Sequence, residues 1–260
     1  MASLRTYMRK SLFAVLSVVA ISFATTVIAQ PNSVTSTNVS ASVERTNTAI
    51  VPVQRGDQGG KRRADVVLAR AKENPGEYDI AFIGDSITQG WEGPGRSIWE
   101  KYYGSRKCIN LGVSGDRTQH VLWRFEQGQL DGLKPKVAVL MIGTNNSNRD
   151  DNSEADILEG VQMIVKQMRE RLPDTKVVVL GIFPRGRSFT VQRGKILQVN
   201  QALARLADEK NIFYIDFGSQ LIENDGSISR EIMPDFLHLT EKGYEIWANA
   251  IEPRLVELLK

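Results

Sequence analysis

A chain of 260 residues with 42% hydrophobic composition can build one substantial core and leaves little room for two. Of its 33 basic and 30 acidic residues, three cations and no acids fall in residues 1–29, so the remainder is balanced at 30 against 30. Without a concentrated basic face, charge gives no case for nucleic acid or an anionic membrane surface as partner.

Arg5, Arg9 and Lys10 precede the apolar run Leu12–Phe23, and "VIA" supplies small residues before Gln30. This is the pattern of a secretory signal over residues 1–29. The run is short for a membrane-spanning helix, which needs about 20 apolar residues. The expectation is therefore export to a secreted or periplasmic location, with no stable membrane insertion after cleavage; a retained single anchor is the alternative. Residues 30–60, rich in Ser, Thr, Asn and Val with few large apolar side chains, read as a flexible linker. From about Lys61 the pattern turns helical, with Val66, Val67 and Ala71 at helical spacing until "NPGE" stops it, and "GKRRAD" reads as a solvated helix start. Residues 61–260 are expected to form the folded domain.

Within it, short apolar runs alternate with helical segments. Strands are predicted at Tyr78–Ile83, Lys107–Leu111, Val137–Ile142, Val177–Ile182 and Ile212–Phe217, and helices near Ser97–Tyr103, Asp116–Gln127, Ser153–Arg171, Thr190–Lys210 and Thr240–Leu259. "VAVLMIG" and "VVVLGIF" are apolar on both faces, as parallel strands covered by helices on each side must be. The pattern predicts a three-layer α/β domain with a parallel sheet. Cys108 stands alone, reads as a small buried hydrophobe, and gives the chain no internal disulfide.

In an open parallel sheet, ligands sit beyond the carboxyl ends of the strands. The residues found there are "GDS" with Ser86, "GVSGD" with Gly115, "GTNN" with Thr144 and Asn145, and "FPRGR" with Arg185 and Arg187; "PDFLHLT", with Asp235 and His238, precedes the last helix. Ser86 reads equally as a helix cap or as a nucleophile, and a serine nucleophile needs an imidazole within hydrogen-bond reach. His120 lies in a helical stretch, where a structural role fits; His238, in a loop, is the better base. Asp235, three residues earlier, can hold its second ring nitrogen if the loop turns tightly. Gly115 N–H, the Asn145 amide and Ser86 N–H could donate to an oxyanion, although each motif alone also fits a turn or a cap. Two distant histidines and one cysteine make no metal set at usual spacings, and no phosphate-binding glycine motif follows the first strand, so neither metal nor cofactor is expected.

Taken together, "FIGDS", "NLGVSGD", "IGTNN" and "PDFLHL" resemble the four blocks of the SGNH, or GDSL-type, esterase superfamily, in that order and across Phe82–Leu239. "GDRTQHVLWRF", "VVVLGIFPRG" and "NDGSIS" further resemble the catalytic subunits of the intracellular platelet-activating-factor acetylhydrolases. The resemblance implies a flavodoxin-like α/β/α fold with a five-stranded parallel sheet in order 2-1-3-4-5. It also implies a triad of Ser86, His238 and Asp235, an oxyanion hole of Ser86, Gly115 and Asn145, and room for a homodimer. Ile87 stands where the literal GDSL tetrad has Leu.

Ile87, Thr144 and Leu237, adjacent in sequence to those residues, are candidates to crowd a short acyl pocket. Export favours an O-acetylated carbohydrate as substrate, with an acetyl phospholipid of the platelet-activating-factor type as alternative and a non-catalytic ligand-binding module on the same fold as a third reading. Trp91, Trp99 and Trp123 fit either a sugar-stacking site or the core, and Arg185 and Arg187 either an anionic leaving group or a solvated loop.

Overall fold

A computed structural model of the chain describes residues 45–149 and 151–260. The signal expected at residues 1–29 and the linker residues 30–44 lie outside the described residues. The five predicted strands are present as β1 (Gly76–Gly84), β2 (Cys108–Gly112), β3 (Leu133–Met141), β4 (Lys176–Leu180) and β5 (Ile212–Ile215), all parallel in the order 2-1-3-4-5. The helices are α1 (Gln58–Glu73), α2 (Ser86–Gln89), α3 (Arg96–Tyr103), α4 (Thr118–Glu126), α5 (Glu154–Arg171), α6 (Val191–Leu203) and α7 (Glu241–Leu258).

Strand alternation divides the apolar residues between two layers. Ala81, Ile83, Leu111, Leu140 and Val179 face one cluster with α1, α4, α5 and α6; Ile80, Phe82, Val139, Met141 and Val178 face another with α3 and α7. Both faces of the sheet are thus covered, which is why β3 and β4 carry unbroken apolar runs. The pairings Gly84↔Gly112 and Gly84↔Met141 end β1, β2 and β3 at one level, so the loops that follow emerge side by side.

The chain then folds back onto these strand ends. A Cβ on Gly84 would lie 2.2 Å from Thr88 Oγ1 and 2.3 Å from the Met141 carbonyl, and one on Gly112 would lie 2.3 Å from Gln89 N. Only glycine at both strand ends lets α2, which carries Ser86, pack this close.

Three expectations are corrected. Residues 45–57, read as part of a linker, pack on the domain: Ala49 is buried, its carbonyl accepts from Thr118 Oγ1, Val53 N–H donates to Gln119 O, and Asn47 reaches Glu159 on α5. Their polar side chains bind helix ends instead of solvent, which composition does not distinguish. Arg63, read as part of a solvated helix start, donates to both carboxylate oxygens of Glu92 and to Gly112 O. Helix α6 stops at Leu203, not near Lys210. There Asp208 Oδ1 accepts the N–H groups of Lys210, Asn211 and Ile212, an arrangement that opens β5 and holds its carboxyl down at about 2.

A methyl group added at Gly84 meets a backbone carbonyl that cannot move without breaking strand pairing. Gly84→Ala is expected to destabilise the domain by about 3 kcal/mol or more, the upper range for overpacking. An unchanged midpoint in urea unfolding would contradict this account of the β1–α2 junction.

Candidate active site

Ser86 is the first residue of α2, separated from the buried end of β1 by the N-cap Asp85 alone. Its Oγ lies 2.9 Å from His238 Nε2, a residue 152 positions later in the loop before α7. His238 Nδ1 lies 2.6 Å from Asp235 Oδ2, while Asp235 Oδ1 accepts the N–H groups of Leu237 at 3.1 Å and His238 at 2.8 Å. With the Nδ1 proton donated to Asp235, Nε2 is left to accept from the serine hydroxyl. Burial raises the Asp235 carboxyl, but hydrogen bonds from the His238 ring and from the His238 and Leu237 amides outweigh it and hold the group below the usual range. The three-residue return depends on Phe236, whose φ of 61° is left-handed. A bulky side chain adopts this conformation at a cost of about 1–2 kcal/mol. The imidazole and carboxylate are open to solvent, with side-chain exposures of 45% and 53%.

The turn after β2 brings Gly115 to the same edge with φ 77°. Ser114 N–H donates to Gln89 Oε1 at 2.8 Å, and the Ser114 carbonyl accepts from Arg55. Asn145 Nδ2 donates to Asp116 O at 2.9 Å, which fixes the amide and leaves its second hydrogen free of that bond. The Asn145 loop is anchored by Arg185, whose Nη1 lies 3.1 Å from Thr144 O and 3.0 Å from Asn148 Oδ1. A cavity of about 500 Å³ opens over Ser86 and His238, lined by Gln89, Glu92, Pro94 and Ser114 among others.

Two aspartates are buried beneath these loops. Asp116 pairs with Arg124 at 3.0 Å, both side chains 1% exposed. Asp85 has no such cation: Oδ1 accepts Ile87 N–H at 3.0 Å, and Oδ2 has no hydrogen-bond partner among the described residues. Burial, reinforced by the charge of Asp116 and opposed by the Ile87 N–H and Arg185, pushes Asp85 up to about 7.

The loops therefore bring Ser86, His238, Asp235, Gly115 and Asn145 to one edge of the sheet. Of the acyl-pocket candidates, Ile87 and Leu237 share one apolar cluster and Thr144 is 1% exposed, but none lines the cavity over Ser86. Nor does any of the three tryptophans: Trp91 is 1% exposed among Phe82, Tyr103, Tyr244 and Trp247, and Trp99 packs on Phe82. Arg187 is exposed; Cys108 is half-buried, with burial pushing its thiol up to about 12. His120 accepts Arg117 N–H at its own helix start, and burial lowers it to about 4. Among the described residues no group of three or more His, Cys, Asp or Glu is placed to hold a metal ion. Composition and spacing missed Arg55, Gln89 and Tyr244, whose hydroxyl donates to Ile87 O at 2.6 Å; only Gln89, three residues after the serine, had a positional signal.

Comparison with known proteins matches residues 82–246 to the GDSL-like lipase/acylhydrolase family. The chain is 36% identical over 185 residues to platelet-activating factor acetylhydrolase IB subunit alpha2 of Rattus norvegicus, covering 71% of this chain and 79% of that one. Among solved structures, a protein from Streptococcus pneumonia described as a platelet activating factor superposes with a TM-score of 0.65 at 24% identity, covering 76% of this chain and 92% of the other. An acetylxylan esterase from Geobacillus stearothermophilus gives a TM-score of 0.54 at 18% identity, covering 68% and 94%. Both structural likenesses concern the fold.

Asp85 makes a test of this electrostatic picture. A carboxyl raised from 3.8 to about 7 on folding favours the folded state fully below pH 4 and loses that contribution as pH climbs to 7. Asp85→Asn keeps an acceptor for Ile87 N–H and does not ionise. Its stability relative to the parent is expected to rise between pH 4 and 7 by a few kcal/mol, with a slope of about 1.4 kcal/mol per pH unit, and then level off. Urea unfolding of both forms across that range measures it, and a pH-independent difference would refute it.

Proposed function

The chain belongs to the GDSL-like lipase/acylhydrolase family and is a carboxylic ester hydrolase; from that premise we propose that it removes short acyl groups, acetyl foremost, from O-acylated carbohydrate outside the cytoplasm. In this reading Ser86 is the nucleophile, His238 the base and Asp235 the residue that orients it. Ser86 Oγ attacks the ester carbonyl carbon while its proton passes to His238 Nε2. The carbonyl oxygen becomes an oxyanion received by the N–H groups of Ser86 and Gly115 and the Asn145 amide. Collapse of the tetrahedral adduct breaks the bond to the alcohol oxygen, which takes the proton from His238 and leaves. Water then loses a proton to the same nitrogen as it attacks the acyl-enzyme, and a second collapse releases the acid and restores Ser86. The observation that carries this reading is the unbroken line from Ser86 Oγ through His238 to Asp235, at 2.9 and 2.6 Å.

A short acyl chain is supported by closure behind the nucleophile. Ile87 and Thr144 are each 1% exposed and Leu237 packs in the Ile87 cluster, so none of the three opens an acyl channel into the cavity over Ser86. A neutral polyol as leaving group is supported by the cavity lining. Gln89 and Ser114 offer hydrogen bonds, Glu92 is already paired with Arg63 and Arg70, and no lysine or arginine lines the cavity among the described residues to receive a phosphate. The 36% identity to an acetylhydrolase named for platelet-activating factor favours the second reading, an acetyl phospholipid. Action outside the cytoplasm rests on the charged, apolar and small-residue pattern of residues 1–29.

A panel of acetylated xylan, acetylated sugars, an acetyl phospholipid and p-nitrophenyl esters of increasing length, run with Ser86→Ala, tests each part. The expected result is a rate maximum at acetyl, preference for acetylated carbohydrate over phospholipid, and loss of at least about 10³-fold in kcat for Ser86→Ala. A maximum at eight carbons or longer would refute the closed acyl pocket, and undiminished hydrolysis by Ser86→Ala in pure protein would refute the triad. Binding without turnover by the parent would point to a non-catalytic module.

A further inference from the structure

Arg55 lies before α1, outside every block that resembles a catalytic motif, yet its guanidinium rests against the loop that carries Gly115. Nη1 donates to the Ser114 carbonyl at 2.5 Å and lies 3.5 Å from Asp116 Oδ1, and Nη2 donates to Asp57 Oδ2 at 2.5 Å. The group fills a slot between two glycines: a Cβ on Gly60 would fall 2.9 Å from its Cζ, and one on Gly115 would fall 2.6 Å from Nη1. The side chain is 16% exposed and does not line the cavity over Ser86.

The Ser114 carbonyl and Gly115 N–H are the two ends of one planar, conjugated peptide unit. A cation bonded to the oxygen draws density through the amide and strengthens the N–H as a donor, because hydrogen bonds in series polarise one another. It also prevents the peptide plane from rotating. Ser114 N–H, held by Gln89, fixes the preceding plane. The loop is thereby gripped on both sides of Ser114 before any substrate arrives, which is the condition for preorganised stabilisation.

We propose that Arg55 is a positioning residue of the oxyanion hole, orienting and polarising the Ser114–Gly115 peptide so that Gly115 N–H receives the developing negative charge. This rests on the reading of Gly115 as an oxyanion donor. Because Arg55 acts through that peptide and not on the substrate, its removal lowers kcat and leaves KM in place.

The test compares Arg55→Ala, Arg55→Gln, Arg55→Lys, Asn47→Ala and Ser86→Ala in the full chain, measuring kcat and KM on p-nitrophenyl acetate below the melting temperature of each. Affinity for an aryl boronic acid, which forms a tetrahedral adduct on serine, is read alongside. Arg55→Ala is expected to lose at least about tenfold in kcat, within the range up to about 10³ for losing an oxyanion donor outright, with boronate affinity falling in parallel and KM little changed. Lys, which keeps the charge, recovers part of the loss; Gln, which keeps size and a neutral donor, recovers less. Asn47→Ala loosens the same segment at α5 and keeps the parental kcat. Parental kcat in Arg55→Ala, or in Arg55→Gln should the alanine form fail to fold, overturns the proposal. So does an equal loss in Asn47→Ala, which would make the segment a structural strap alone. Activity retained by Ser86→Ala would instead bring down the acyl-enzyme reading itself, so the two failures are distinguishable.

Discussion

The contact between Ser86 Oγ and His238 Nε2 joins residues 152 positions apart, and the architecture is what makes it available. A parallel sheet delivers the carboxyl ends of all its strands to one edge, and the shared register level of Gly84, Gly112 and Met141 sets the loops after β1, β2 and β3 beside one another. Helix α7, packed through Trp247, Ile251 and Leu255 on the sheet face that presents Phe82 and Val139, fixes where the histidine loop ends. The apolar layers thus do positional work: a shift of α7 by one turn would carry His238 about 5 Å from the serine.

The charges under the site are arranged unequally, and the inequality has a chemical sense. Asp116 is neutralised by Arg124 and approached by Arg55, so it adds little net negative charge where the proposed oxyanion would form. Asp85, next in sequence to Ser86, has no ion-pair partner, and burial raises its carboxyl to about 7, so that it carries less charge near neutral pH than an ordinary aspartate. An ionised carboxylate at that position would oppose any anion built on Ser86. The negative charge that would assist, on Asp235, lies at the far end of the imidazole and is held ionised by three hydrogen bonds.

How much of this could be read beforehand depends on which residues carried a long signal. The strands were legible because burial on both faces demands uninterrupted Val, Ile and Leu, and Ser86, Asp235, His238, Gly115 and Asn145 follow such runs or precede a long helix. Helix α2 was not legible, since its four residues complete a single turn and have no periodicity. Phe236 gave no warning of its positive φ, because the strain is imposed by the bonds that Asp235 makes and not by the residue type. Arg55 was invisible for a third reason. It sits in a polar stretch whose composition matches a solvated linker, and only the folded chain shows that the polar groups there find partners on α4, α5 and the Gly115 loop. For the tryptophans, the sequence left a sugar-stacking site and the core both open, and packing decides for the core at Trp91, which with Trp247 fills the space between α7 and the sheet.

The openness of the imidazole–carboxylate pair bears on the fate of the proposed intermediate. With His238 and Asp235 about half exposed beside an open cavity, bulk water has direct access to the imidazole next to Ser86. An acyltransferase must shield that species so that a scarce alcohol can outcompete the solvent. In the proposed mechanism, the exposure of this pair favours water over a scarce alcohol as acceptor of the acyl group, the outcome that ester hydrolysis requires.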